Sequence, residues 1–232
     1  GSCSAAGIEG DCLSNGVTGA KSPWAGPNTK QSIYFKPTTT THYGIGIDST
    51  HYTTSGTYVL AVEEFFPASN ATCSAAQAVT LVNGTATVRG NTATLADEFP
   101  SLNCGSSPPL VGPQVYYRFD VPQGSAMKLT FAPTFAGYLA IAPVAAGCTA
   151  SALSAACGSK GVSGAWINSA APGTIFFNPV QPGSYLAIVD SGQPDYLGYG
   201  DFELTFEQVP SARNDTCASA AHLPLVNGKA AA

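Results

Sequence analysis

Charge is the scarcest property of this 232-residue chain. Asp, Glu, Lys and Arg make up 10% of it, against about a quarter of a typical soluble protein, so its surface has to be covered largely by Thr, Ser, Gly, Ala and Asn. Such surfaces suit extracellular or densely packed proteins. Lys and Arg form no cluster, and the formal net charge is −5. The electrostatic footprint that holds nucleic acid or an anionic membrane is therefore missing, which argues against both as partners. Apolar runs stay short of the roughly 18 residues that span a bilayer, so membrane insertion is not expected. No signal peptide opens the sequence, which starts at Gly1 without Met, so it reads as a mature or excised segment.

Catalytic equipment is sparse as well. His42, His51 and His222 are the whole histidine supply. No Gly-x-Ser-x-Gly elbow, His-Glu-x-x-His pair, P-loop or dinucleotide fingerprint occurs, and no nucleophile, base and stabiliser stand in a recognisable relation. The expectation is a protein that is not an enzyme and uses no cofactor. What the chain does have is core: 44% apolar residues with 10 Tyr and 11 Phe, which makes disorder improbable despite 25 Gly and 17 Pro.

It also has an internal copy of itself. Cys3 and Cys12 are answered by Cys148 and Cys157, Trp24 by Trp166, Phe35-Lys36-Pro37 by Phe177-Asn178-Pro179, and Tyr43 to Asp48 by Tyr185 to Asp190. Further on, Asn70-Ala71-Thr72-Cys73 is answered by Asn214-Asp215-Thr216-Cys217, and Leu81-Val82-Asn83-Gly84 by Leu225-Val226-Asn227-Gly228. The period of about 144 residues is too long for a solenoid unit and suits a whole domain. Three units follow: 1–66 as the C-terminal part of one repeat, 67–210 as a complete repeat, and 211–232 as the start of the next.

Short runs rich in β-branched and aromatic residues, bounded by Gly, Pro, Asn or Ser, read as strands at 32–35, 42–48, 57–63, 115–120, 126–131, 138–141, 174–177, 185–190 and 201–207. In Tyr117-Arg118-Phe119 and 202–206 the alternation is that of strands with one face on a core. Only the alanine-rich stretches 74–78 and 150–156 suggest helix, a single turn each, the first capped by Asn70 or Thr72. The fold class read from this is all-β, a two-sheet sandwich of jelly-roll type.

Seven cysteines without a tight ligand cluster indicate disulfides and an oxidising, extracellular compartment. If bridges close within a domain, Cys3 pairs with Cys12, because residues 1–66 contain no other cysteine. Repetition then pairs Cys148 with Cys157 and leaves Cys73 for Cys104, with Cys217 lacking a partner.

The complete copy resembles the bacterial pre-peptidase C-terminal domain family and its relatives in large secreted proteins. The residues that carry the resemblance are Asn70-Ala71-Thr72-Cys73-Ser74-Ala75-Ala76, Gln114-Val115-Tyr116-Tyr117-Arg118-Phe119, Pro122-Gln123-Gly124, Cys148 and Cys157, 181–190, and Gly200-Asp201-Phe202-Glu203-Leu204. It implies non-catalytic β-sandwich modules, appended to secreted proteases or strung in tandem in surface proteins. The middle strands and turns lack the Asp-rich stretches with which such relatives can hold calcium, which argues against calcium here.

The remaining chemistry is thin. Asp190, Asp195 and Asp201 stand in or beside one loop, but only Asp190 has an acidic counterpart, Asp48, so turn-stabilising contacts are expected rather than a cation site. Asp97 and Glu98 read as a solvated pair. Trp24 with Trp166, and Tyr43 with Tyr185, recur with the scaffold and read as core or interface anchors. Tyr52, Tyr196 and Tyr199 lie in the least regular loops and are candidates for a ligand-facing cluster, with glycan as the ligand class. Gly44 and Gly46 replace Leu186 and Ile188 of the complete copy, which predicts a close approach by a neighbouring domain on that face. The functional expectation is a structural repeat protein that forms or decorates an extracellular fibre or cell surface, assembling head to tail with copies of itself or with adjacent repeats. The alternative is a glycan- or protein-binding accessory module of a large secreted enzyme.

Overall fold

Alternation of apolar and polar side chains along 114–210 builds two sheets that face one another. The computed structural model describes residues 42, 44–47, 53, 55–64, 68–93, 95–105, 110–159, 165–167, 172–191 and 199–211. Among these, the strands are β1 (Gln77–Ala78), β2 (Thr85–Asn91), β3 (Gln114–Val121), β4 (Ser125–Pro133), β5 (Gly137–Pro143), β6 (Ala165–Ile167), β7 (Gly173–Phe177), β8 (Gly183–Ser191) and β9 (Asp201–Pro210). One sheet has the order β1-β3-β8-β5-β6 and the other β2-β9-β4-β7. All ladders are antiparallel except the two-residue pairing of β1 with β3.

Leaving β1 aside, the pairings β2 with β9, β3 with β8, β4 with β7 and β5 with β6 are those of a ribbon folded back on itself and rolled into a sandwich. This is the jelly-roll topology expected from the strand pattern. Its consequence is long range: every ladder beyond β1 and β3 joins a strand of the first half, β2 to β5, to a strand of the second half, β6 to β9.

The interior of the sandwich is filled from both sheets. Val115, Tyr117, Phe119 and Val121 of β3 and Tyr185, Ala187 and Val189 of β8 meet Leu129 and Phe131 of β4 and Phe202, Leu204 and Phe206 of β9. Aromatic rings pack edge-on, as Phe177 does against Tyr185 with centroids 4.8 Å apart, a geometry worth about 0.5–1.5 kcal/mol beyond area burial. The β3-β8-β5 sheet is also buried on its other face. There Tyr116, Tyr138, Ala140, Leu186 and Ile188 form a second core with Leu102, Leu110 and Leu153. That core is roofed by a 3-10 turn (Cys73–Ala75), residues 95–105 with Leu110, and helix α1 (Ala150–Ser159). The stretch expected to make a single turn is thus a ten-residue helix, because Leu153 and Cys157, four apart and on one face, both reach the second core.

The expected cysteine pairing is overturned. Cys73 is bonded to Cys148, with Cα atoms 5.6 Å apart, and Cys104 to Cys157, at 5.1 Å. The reason is α1 itself. It separates Cys148 from Cys157 by about two helical turns, about 10 Å or more at ~1.5 Å per residue, beyond the ~4.4–6.8 Å that a bridge spans. Each bridge instead fastens the α1 region to a segment from the other half of the roll. Cys3, Cys12 and Cys217 lie outside the described residues.

Strands expected at 115–120, 126–131, 138–141, 174–177, 185–190 and 201–207 fall within β3, β4, β5, β7, β8 and β9. Of those expected at 42–48 and 57–63, the described residues 42, 44–47 and 57–63 belong to no strand and are exposed, and the one expected at 32–35 lies outside the described residues. β2 was not expected, although its signal was in the sequence. Asn83 and Gly84, at φ 53° and 81°, make the two-residue turn that Asn-Gly favours, and Val82 pairs with Thr85 across it.

Candidate functional site

Two places concentrate chemistry. The first begins at Gln114, where β3 starts. Its register partner on β8 is Asp190, and both side chains are fully buried. Gln114 Nε2 donates to Asp190 Oδ2 at 2.8 Å and to Asp97 Oδ1 at 3.0 Å. Its Oε1 accepts from the Phe99 amide at 3.0 Å and from the Tyr116 hydroxyl at 3.2 Å. One amide side chain therefore ties the 95–99 loop to the central pair of strands. Beside it, the Cys73 amide donates to Glu98 Oε2 at 2.8 Å, so the acidic pair at 97 and 98 anchors backbone and is not a solvated pair as expected.

Asp190 is held differently from its neighbours. Its Oδ1 is buried with no hydrogen-bond partner. Burial drives its carboxyl well above the ordinary aspartate range, with the Asp97 charge pushing the same way and the Gln114 bond and the Gly112 backbone opposing. Burial raises Asp97 too. The Tyr116 phenol is raised by its burial and then by the charge of Glu98. A neutral Asp190 carboxyl suits its site, since an unpartnered buried charge costs far more than an unpartnered neutral oxygen. With Gln114 and Asp190 both sealed from solvent, the arrangement holds the loop rather than meeting a ligand.

Asn70, proposed as a cap, has another task. It is buried, its Nδ2 donates to the Tyr116 carbonyl at 2.8 Å, and its own carbonyl accepts from the Tyr116 amide at 3.0 Å. The cap position of the 3-10 turn is Thr72, without a side-chain cap bond. Between Asn70, Gln77, Arg89, Asn91 and Tyr117 lies an open cavity of about 230 Å³. Arg89 is engaged there by Glu203, whose Oε2 accepts from Nε at 2.9 Å and Nη2 at 2.8 Å.

The second place is a surface. Tyr58, Leu60 and Val62 are 67%, 52% and 74% exposed, Val59 is 97% exposed, and Ile45 and Ile47 are also open. In sequence register Tyr58, Leu60 and Val62 answer Phe202, Leu204 and Phe206, while Ile45 and Ile47 answer Ala187 and Val189. All five counterparts are buried in the sandwich interior. The same pattern of residues is core in one place and surface in the other.

Among the described residues, a Cβ at Gly44 or Gly46, where a close approach by a neighbouring domain was expected, would meet nothing within 4 Å. Their counterparts Leu186 and Ile188 fill the second core beside the disulfides. Of the three tyrosines expected to cluster, Tyr199 is half-buried, and Tyr52 and Tyr196 lie outside the described residues. Asp190 and Asp201 belong to different sheets, Asp201 accepting from Asn91 Nδ2 at 2.6 Å, and Asp195 lies outside the described residues. Among the described residues, no group of three or more His, Cys, Asp or Glu side chains is placed to hold a metal ion, and no helix is long and apolar enough to cross a membrane. His42 is exposed. Trp24, His51 and His222 are outside the described residues, as is the side chain of Trp166, whose backbone pairs with Tyr138.

No protein-family model matches the chain and no curated protein matches it, so the likeness to pre-peptidase C-terminal domains rests on the residues quoted for it.

Proposed function

We propose that this protein is a non-enzymatic structural module of an extracellular fibre or cell surface, built by adding repeats head to tail. The observation that carries the reading is the exposed apolar run at 58–62, whose counterparts in the folded domain are buried strand residues. Large apolar side chains exposed one after another suit an interaction surface, and strand-forming sequence outside any ladder among the described residues is a template for pairing with another chain. Two disulfides fit an oxidising compartment. A surface poor in charge suits dense packing, since few ionic groups have to be desolvated when copies meet. A contact between unlike surfaces of identical units that does not close a ring grows into an open filament.

Negative-stain electron microscopy of the unreduced native material tests the reading directly. Filaments or a regular surface coat are expected. Discrete, non-associating particles in which the amides of residues 57–64 are already protected from exchange would overturn it in favour of an accessory module of a secreted enzyme.

A further inference from the structure

We infer that the free edge of β7 receives residues 58–62 of a second copy of this chain as an added antiparallel strand. The inference deepens the assembly reading by naming the receiving surface, and it rests on that reading in taking 58–62 as the contact. β7 is the last strand of the β2-β9-β4-β7 sheet, and among the described residues its one ladder is with β4. Sheet edges are ordinarily blunted by charge, proline or a bulge, so that they do not recruit another strand. Gly173-Thr174-Ile175-Phe176-Phe177 has neither charge nor proline, its register with β4 runs without a bulge, and its outward Phe176 is 73% exposed. Residues 58–62 match it: apolar, uncharged, exposed and in no strand.

Alternation fixes the register. Tyr58 stands opposite Phe177, Val59 opposite Phe176, Leu60 opposite Ile175, Ala61 opposite Thr174 and Val62 opposite Gly173. Ile175 and Phe177 belong to the sandwich interior, so Tyr58, Leu60 and Val62 extend that interior past its present rim, while Val59 covers Phe176 on the outside. Aromatic with aromatic and aromatic with β-branched are favoured cross-strand pairs. Charge matching selects this edge over the others. On β2, the equivalent register of Leu60 with Val88 sets Val59 against the exposed Arg89, whose guanidinium is paired with Glu203, an ion pair that an apolar strand would desolvate. β1 and β6, at the edges of the facing sheet, are two and three residues long. Reach selects a second copy as the donor. Ala68, Ser69 and Asn70 line one cavity with Arg89 and Gly90 of β2, on the far side of the sheet from β7. A strand added beside β7 lies four strand spacings from β2, about 19 Å, and the six residue steps from Val62 to Ala68 span at most about 20–22 Å. The chain's own segment would reach only in full extension straight across the sheet, whereas a segment from another copy arrives without that constraint. Donor and acceptor are different surfaces, both present on every copy, so the contact propagates as an open filament.

Cross-linking between two single variants tests donor, acceptor and register together. A Val59→Cys chain is mixed with a Phe176→Cys chain, both in a background with Cys3, Cys12 and Cys217 changed to Ser, and oxidised with glutathione disulfide. A covalent heterodimer is expected, in a yield at least about fivefold above that from Ala61→Cys with Phe176→Cys, because in the antiparallel register Ala61 is a diagonal neighbour of Phe176, beyond the reach of a disulfide. No heterodimer, equal yields, or more product from Ala61→Cys would overturn the inference. So would a chain carrying both Val59→Cys and Phe176→Cys that closes on itself and leaves no covalent dimer. The second arm blunts the edge. Phe176→Lys, at an exposed position, should weaken association in sedimentation velocity at least about tenfold. Val180→Lys, at a position 88% exposed and outside β7, should change it less than about threefold. Equal effects from the two lysines would overturn the inference. Filaments that form undiminished with Phe176→Lys would sink this inference and leave the fibre reading standing; the expected cross-link in material that never forms filaments would do the reverse.

Discussion

Removing the Cys104–Cys157 bridge should cost this domain about 4 kcal/mol. The bridge closes a loop of 53 residues, and limiting the unfolded chain over that length is worth about 4 kcal/mol on the chain-entropy account. The two bridges interleave, since Cys104 lies inside the loop of Cys73–Cys148 and Cys157 outside it. With the other bridge intact, the shortest loop still contains about 40 residues, and the logarithmic dependence on length leaves the figure close to 4 kcal/mol. Losing both bridges should therefore cost about 8 kcal/mol, comparable with the whole stability of a typical domain. The experiment is urea unfolding of Cys104→Ala/Cys157→Ala, in a background with Cys3, Cys12 and Cys217 changed to Ser so that thiols cannot exchange. A midpoint shift worth less than about 1 kcal/mol at unchanged slope would mean that the second core holds the roof without its staple, and would refute the argument.

Asp190→Asn should gain about 1–2 kcal/mol at pH 8 and change little at pH 4. A carboxyl raised by folding binds more protons in the folded state, so its contribution is full below the unfolded value near 3.8 and is lost as pH rises through the folded one. Asp97 moves in the same direction. Urea titrations at the two pH values read the difference, and an equal effect at both would remove the electrostatic explanation. Gly90→Ala places a Cβ 2.6 Å from Phe202 Cζ and 3.0 Å from the Tyr117 hydroxyl, inside the packed core, and should cost about 1–3 kcal/mol by overpacking. A thermal midpoint unchanged from the parent would show that the Phe202 ring yields freely. Asn70→Ala removes a buried bond to the Tyr116 carbonyl and should cost about 1–2 kcal/mol; faster amide exchange along β3 locates the loss, and a change confined to residues 72–76 would point instead to a capping role.

Strand positions were legible because alternation is written into each segment: the apolar residues of 202–206 are those that the folded β9 buries. The helix at 150–159 was underestimated because its propensity is carried by alanine, which has no periodic signal of its own, and Leu153 and Cys157 supply the buried face only once a sheet lies beneath them. Gln114 gave no sign of its importance, since a polar residue at a strand start reads as an ordinary edge of the pattern. Its role exists only when Asp190, 76 residues away, is brought opposite it. The acidic pair at 97 and 98 failed in the same way: its partners are Gln114 and the Cys73 amide, neither of them local. Residues 57–63 show the converse, a strand pattern that pairs with no strand among the described residues.

What the sequence alone determined was local and compositional: an all-β chain, the places of most strands, a composition poor in charge, and a correspondence between 1–66 and 146–210. Tertiary structure decided which strands pair, which cysteines meet and which carboxyl is buried. Those outcomes depend on contacts such as that of Thr87 with Thr205, 118 residues apart, and alternation carries no information about the partner on the other side of a ladder. Cys148 and Cys157 illustrate the difference. Nearness along the chain made them a pair on paper, and the helix between them holds them apart, turning each toward a cysteine that the roll delivers from the other half of the domain.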